Sequence, residues 1–558
     1  MSLAAFLDPE ALLRGGSIRF NLAIKRLLLH LGFDDVRIID GAGDGGADVL
    51  AIRAGELFVF QCKWTSGKTI SRDAVDEVDN ARQRYGASRA IVVTNAFPDG
   101  GATQRAQALE AIGLPVQFWN RNHLSRLAAE ISAFVPAQFA PRPYQTEAIL
   151  GLESALAERS RALLVLATGL GKTVVGGEVI RRHLEKNPGH HVLVVAAMKD
   201  LVEQLEQAMW RHLPKGVATQ VLHGESKPAS LGGVTFATVE SALSAVRDGY
   251  GPHLIMVDET HHLGESGTLK ELLIACGSAR QFGVTATPWR GDGFDISSYF
   301  GAPSFKMGIA EGMARGYLAQ VDYKVYVDNI DWHLVKERSE VGYTLKELNS
   351  RLFLPQRDEA VLELLWETWA RTLEPRAILF CKTIAHAEAM AEALAGFVPN
   401  WAGAKCLHTS MSKRDREVAL SSFRSGRIPV LTAVDILNEG VDVPDVNILG
   451  FLRVTHSRRI FVQQLGRGLR LKEGKERVAV LDFVTDIRRL AAISNLKSDV
   501  ARSRAMTERL TLDLESTISF SDAKVGTLME AWMRDAADLE TAMDDAKLQF
   551  PDPAAFNP

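Results

Sequence analysis

Between residues 17 and 31 apolar side chains return at helical spacing, and the run stops at Gly32, the pattern of an amphipathic helix ended by a glycine. The period then changes. Ala47 to Arg53 and Leu57 to Trp64 read as two strands around Ala54-Gly55-Glu56 and predict a hairpin. A helical stretch over about 73–85, a strand Arg89 to Thr94, a helix near Thr103 to Ile112 and a strand near Pro115 to Trp119 follow. This alternation predicts one compact α/β domain over 1–135, after which Pro136, Pro141 and Pro143 punctuate a linker.

Beyond the linker the strands become short unbroken apolar runs, the mark of a parallel sheet buried on both faces. Ala162–Leu166, His191–Ala196, Val234–Thr238, Leu254–Val257 and Phe282–Thr285 form one such series, in a unit expected over 136–310. Ala377–Phe380, Val430–Ala433, Ile448–Phe451 and Arg477–Phe483 form another, expected over 354–500. Helical segments separate most of these strands, as parallel pairing requires. Residues 311–353 connect the two units, with room for extra strands at Val321 to Val327. The last stretch, 501–558, reads as a helical tail, and its six Lys/Arg against eleven Asp/Glu make it an accessory helix or a surface for a protein partner rather than a phosphate binder.

Composition narrows the class. A chain of 558 residues, 46% hydrophobic and 24% charged, can bury several cores without disulfide staples. A formal charge of −4 excludes a histone-like binder and leaves room for a locally basic groove. Cys62, Cys276, Cys381 and Cys406 are scattered, with no pair at zinc or disulfide spacing, which fits a reducing compartment. No apolar run reaches the ~18 residues of a membrane span, and Met1 to Asp8 lacks the basic start of a signal peptide. The expectation is a cytoplasmic protein with no membrane partner.

Chemistry enters at Ala167-Thr168-Gly169-Leu170-Gly171-Lys172-Thr173, which follows an apolar strand and opens a helix. Glycines let backbone N–H groups turn onto phosphates, and a helix N-terminus favours the anion. Lys172 would neutralise the outer phosphates and the Thr173 hydroxyl would bind Mg²⁺. Leu166 stands where the general phosphate-loop pattern has its first glycine. Leu254-Ile255-Met256-Val257 runs into Asp258-Glu259-Thr260-His261, placing two acids at the carboxyl edge of the sheet. Asp258 can hold the Mg²⁺ shell and Glu259 can orient an attacking water. Far downstream, in Gln463-Gln464-Leu465-Gly466-Arg467-Gly468-Leu469-Arg470, Arg467 and Arg470 can offset charge on a transferring phosphoryl group.

A second centre lies in the first domain. Alternation puts Gln61 and Lys63 on one face of their strand and Cys62, a core residue, on the other. Folding the hairpin about Gly55 brings Asp48 to them. A carboxylate, an amide oxygen and an ammonium at one sheet end suit metal-assisted phosphodiester hydrolysis, with Asp48 and Gln61 as metal ligands and Lys63 acting on water. Asp44 reads as a turn-former. Trp64 and Trp289 read as core residues, His262 as a packed polar contact, and Arg453 to Arg459 equally as a solvated loop or a backbone-tracking one.

The ordered motifs ATGLGKT, DETH, TATP, LNEGVDVP and QQLGRGLR resemble superfamily 2 helicases, most of all the helicase part of restriction-enzyme subunits and related DEAD/DEAH-type DNA translocases. The resemblance implies two RecA-like parallel-sheet lobes with ATP between them. It implies that Arg142 and Gln145 read adenine, that Asp442 contacts ribose, and that Thr168 and Gln463 join the nucleotide site. Thr285 and Thr287 match the motif that couples hydrolysis to lobe movement. Gly43-Asp44-Gly45-Gly46-Ala47-Asp48 followed by Gln61-Cys62-Lys63 resembles the Mrr-like type IV restriction endonuclease domain, a branch of the PD-(D/E)xK nucleases. Here Phe20-Asn21 stands where that family often has a glutamate. The expectation is thus an α/β chain with a restriction-endonuclease-like domain, two RecA-like lobes and a helical tail, using ATP and Mg²⁺ on DNA in restriction or defence. A repair or recombination helicase–nuclease, and a remodelling ATPase with an inert nuclease fold, are the alternatives.

Overall fold

The computed structural model describes residues 5–7, 16–39, 46–131, 141–228, 231–260, 263–286, 295–325, 343–344, 358–434, 446–452, 477–483, 518–519 and 547–548. Its N-terminal domain is a five-stranded sheet in the order β1 (Arg37–Ile38), β2 (Val49–Arg53), β3 (Glu56–Lys63), β4 (Arg89–Thr94), β5 (Val116–Trp119). The β2–β3 hairpin is antiparallel, with Val49 opposite Phe60 and Arg53 opposite Glu56. Its two turn residues, Ala54 and Gly55, have φ of 52° and 80°, as a two-residue hairpin requires. The two faces of this sheet are covered by different helices. Val49, Ala51, Phe60 and Cys62 pack with Phe20, Ile24 and Leu27 of α1 (Gly16–His30). Leu50, Leu57 and Val59 pack with Ala74, Val75 and Val78 of α2 (Asp73–Tyr85).

The first lobe follows. After α3 (Pro143–Arg159), β6 (Arg161–Leu166) leads into α4 (Lys172–Lys186). Then come β7 (Val192–Ala196), α5 (Lys199–Met209), β8 (Thr219–Leu222), β9 (Val234–Thr238), β10 (Leu254–Val257), β11 (Arg280–Thr285) and β12 (Phe305–Met307). The sheet order is β8-β9-β7-β10-β11-β6-β12, parallel throughout. Every side chain of β10 is buried, which is why it reads in sequence as a bare apolar run.

The second lobe has the same plan. β13 (Gln320–Val325), β14 (Ala377–Phe380), β15 (Lys405–His408), β16 (Val430–Val434), β17 (Ile448–Phe451), β18 (Arg477–Asp482) and β19 (Ile518–Ser519) assemble as β15-β16-β14-β17-β18-β13-β19. The strand expected near Val321 to Val327 is β13, and it belongs to this sheet, aligned with all six residues of β18. Of the tail expected to be helical, the described residues are Ile518–Ser519 and Lys547–Leu548, both paired as strands; the rest lies outside the described residues. No described helix is long and apolar enough to cross a membrane.

Two seams fasten the N-terminal domain to the lobes. On the first-lobe side, Trp210, just after α5, is buried inside the N-terminal domain's own apolar cluster. Around it Arg26 donates to the Pro214 carbonyl at 3.1 Å, Arg211 to the Asp34 carbonyl at 2.8 Å and Lys215 to the Ile131 carbonyl at 2.7 Å. On the second-lobe side, Arg424 of α6 (Lys413–Arg424) meets Asp35 at 2.6 Å, Arg427 donates to the Tyr85 carbonyl, and Val418 packs on the α2 face. Burial alone would raise the Asp35 carboxyl, but Arg37 and Arg424 hold it below its ordinary range.

Glu206 is a buried acid beside the first seam. Burial pushes its carboxyl up to about 7, against the pull of a 2.6 Å hydrogen bond from the Thr219 hydroxyl and the charge of Arg26. The folded chain therefore holds this proton where the unfolded chain has released it. Stability contributed by the protonated acid is lost as pH rises from the ordinary glutamate range through about 7. Glu206→Gln keeps the acceptor for Thr219 and removes the ionisation. It is expected to raise stability at pH 8 by on the order of 1–3 kcal/mol, with little gain at pH 5, read from thermal melts at both pH values.

Candidate functional site

The first centre sits where β6 ends. Gly169 and Gly171 hold φ of 90° and 83°, a region a side chain enters only with strain. A Cβ on Gly171 would also stand 2.5 Å from the Gln145 side-chain nitrogen. The loop is braced from behind. The Leu170 carbonyl accepts from the Tyr144 hydroxyl at 2.8 Å and from Gln145 Nε2 at 2.9 Å, while Gln145 Oε1 accepts from the Arg142 N–H at 2.8 Å. Both ends of the Gln145 amide are thus engaged within the chain, tying the start of α3 to the phosphate loop. Burial raises the Tyr144 phenol, so it stays a neutral donor. Thr168, Gly169 and Thr173 are half-buried around the mouth of the loop.

β11 separates β6 from β10, so the loop and the acid pair lie two strands apart on one sheet edge. Asp258 is fixed through its backbone N–H, 2.9 Å from the Val195 carbonyl. Glu259 has φ of 46°, a left-handed value for a non-glycine residue, and its Oε1 lies 2.6 Å from Lys172 Nζ. Next to it, the buried Thr260 hydroxyl is 3.0 Å from both the Val257 and Val284 carbonyls. Gly283 makes room for it, since a Cβ there would come within 2.5 Å of Thr260 Oγ1. Thr285 is buried at the end of β11. These residues fit a nucleoside triphosphate with its metal: backbone donors at the start of α4, one cation already poised beside a carboxylate, and a second carboxylate adjacent.

The second centre lies on the α2 face of the N-terminal sheet. The hairpin register puts Asp48 opposite Gln61, one step beyond the Val49–Phe60 pair, and Lys63 follows on the same face. Asp48 is buried, its Oδ2 accepting from the Cys62 N–H at 2.6 Å. Gln61 is buried too, and its Oε1 makes no hydrogen bond among the described residues. A buried acceptor oxygen beside a carboxylate fits a hard divalent cation. Cys62 lies in the α1-side core, as expected. The turn after Lys63 is pinned by Asn95, which accepts from the Thr65 N–H at 3.0 Å and donates to its carbonyl at 2.8 Å.

Several residues were not singled out from sequence. Lys63 forms an ion pair with Glu77 of α2. Gly46, at φ 87°, sits so close to the Glu77 backbone that a Cβ would stand 2.3 Å from its carbonyl oxygen. Tyr144 and Thr260 brace the first centre. Asn21 belongs to α1, which packs on the opposite face from Gln61 and Lys63. Among the described residues no group of three or more His, Cys, Asp or Glu converges as a metal site. Asp44, His261, His262, Thr287, Trp289, Asp442, Gln463, Arg467 and Arg470 lie outside the described residues.

Known proteins match each of these parts. Residues 15–128 match the Mrr-type catalytic restriction endonuclease family, 138–290 the type III restriction enzyme res subunit family, and 356–472 the helicase conserved C-terminal domain. The chain is thus ordered as a restriction-endonuclease-type domain followed by two helicase-type domains. It is 28% identical over 384 residues to the type I restriction enzyme EcoAI endonuclease subunit of Escherichia coli, covering 62% of this chain and 46% of that protein. It is 26% identical over 373 residues to the DNA 3'-5' translocase XPB2 of Sulfurisphaera tokodaii, covering 62% of this chain and 81% of that one. This chain thus spans less than half of the EcoAI subunit. A solved structure, the ATP-dependent type ISP restriction-modification enzyme LlaBIII bound to DNA, shares the fold with a TM-score of 0.53 at 16% identity, over 96% of this chain and 42% of that one.

Proposed function

We propose that this chain is an ATP-driven DNA translocase or helicase carrying a Mg²⁺-dependent endonuclease, acting in the cytoplasm in restriction of foreign DNA. The observation that carries the reading is the seating of the nuclease domain on both motor lobes at once, by Trp210 and Arg26 on one side and Arg424 and Arg427 on the other. That arrangement supports one coupled machine over two independent enzymes.

In the motor, Lys172 would turn from Glu259 to the outer phosphates of ATP, and Glu259 would orient water for attack. Thr173 and Asp258 would hold the metal, Thr168, Gly169 and Gly171 the phosphates, and Arg142, Gln145, Asp442 and Gln463 the rest of the nucleotide. Arg467 and Arg470 would enter from the second lobe. In the nuclease, Asp48 and Gln61 would hold the cation, while Lys63 positions the water and offsets charge on the phosphate. Bound at these places, Mg²⁺ neutralises phosphate charge and polarises the scissile group.

The test is cleavage of modified and unmodified DNA by the full chain with Mg²⁺, with and without ATP. Cutting that requires ATP is the expected result. DNA-stimulated ATP turnover with no nicking under any of these conditions, nor with Mn²⁺, would replace this reading with a remodelling ATPase whose nuclease fold only grips DNA.

A further inference from the structure

We propose that Glu77 is the second carboxylate of the nuclease cation site, delivered by α2 and held by Lys63 until the cation arrives. The inference rests on the nuclease reading above.

Charge is the first argument. Asp48 and Lys63 cancel, and Gln61 is neutral, so the three residues together offer a divalent cation no net negative charge. Hard cations in phosphodiester sites are usually held by one or two carboxylates along with substrate oxygens. One further acid on the right face would give the site its missing charge.

Placement is the second. Gln61 and Lys63 face α2, the helix that carries Glu77. Asn21 has neither the charge nor the face, since α1 covers the other side of the sheet. Glu77 is fixed twice: its side chain pairs with Lys63, and its backbone lies against Gly46, two residues before Asp48. Those contacts set it between the strand bearing Asp48 and the strand bearing Lys63. The third observation is the buried Gln61 Oε1, which makes no hydrogen bond among the described residues, on the same face of β3 as Lys63.

The plainer reading is that Glu77 only neutralises Lys63, a pair with side chains 40% and 33% exposed and therefore worth little by itself. Binding of Mn²⁺ to the full chain without nucleotide, followed by calorimetry or by the electron-spin signal of free Mn²⁺, separates the two. Asp48→Asn defines the nuclease share of the binding. Glu77→Gln, isosteric at a half-exposed position, is expected to weaken that share by about tenfold or more. Lys63→Met, which releases Glu77, is expected to bind Mn²⁺ at least as tightly as the wild type. The proposal is overturned if Glu77→Gln binds within about twofold of wild type while Asp48→Asn has lost the site. If Asp48→Asn itself binds like the wild type, the nuclease reading falls, and Glu77 with it.

Discussion

Lys172→Ala should abolish DNA-stimulated ATP hydrolysis while leaving the fold intact. Lys172 opens α4 directly after a glycine at φ 83° and is poised 2.6 Å from Glu259. Its ammonium is the charge in the described part of this site that a bound triphosphate would draw away from a carboxylate. Alanine removes the cation at the phosphates and also the ion pair to Glu259, which is 18% exposed. The expected loss is at least ~10³-fold in kcat, about 4 kcal/mol of barrier. Phosphate release with saturating DNA measures it, and a thermal melt close to wild type shows that the helix start survives, since alanine is the better helix former. Substantial turnover in this variant would end the motor assignment.

Asp48→Asn should remove cleavage and spare the motor. The substitution is chosen because Asn can still accept from the Cys62 N–H now 2.6 Å from Asp48 Oδ2, so the β2–β3 hairpin keeps its internal bond. What it loses is the charge of the carboxylate facing Gln61. A metal ligand of this kind is worth several kcal/mol to the transition state, roughly 10³-fold in rate. Nicking of supercoiled DNA should therefore vanish while DNA-stimulated ATPase stays near the wild-type level. A variant that cuts at the wild-type rate would show that Asp48 serves the fold and not the chemistry.

Much of this was legible in the chain. Interior strands such as Leu254–Val257 are buried at every position, and their sequence says so without help from context. Edge strands are different. Thr219–Leu222, Lys405–His408 and Phe305–Met307 bury only part of their surface, so mixed composition suffices and no apolar run marks them. The phosphate loop and the acid pair are readable because each directly follows an apolar strand, where sequence neighbours are also spatial neighbours. Glu77 was not readable for the opposite reason. On its own helix it looks like an exposed acid in Asp73-Ala74-Val75-Asp76-Glu77, and only the packing of α2 on β3 brings it to Lys63. Gly46 likewise reads as a turn residue, though the space it leaves is filled by the Glu77 backbone. Gln145 reads as a base contact, and the fold adds its hold on Leu170 and Arg142.

The position of β13 limits how this protein can be dissected. The second sheet takes Gln320–Val325 from well before its other strands and seats it against Arg477–Asp482, with Ile518–Ser519 outside it. A fragment that begins between residues 326 and 357 would leave the six backbone positions of Arg477–Asp482 open on that side, a ready template for pairing with another chain. A separately expressed second lobe would therefore aggregate for want of one strand, and a soluble version has to begin before Gln320.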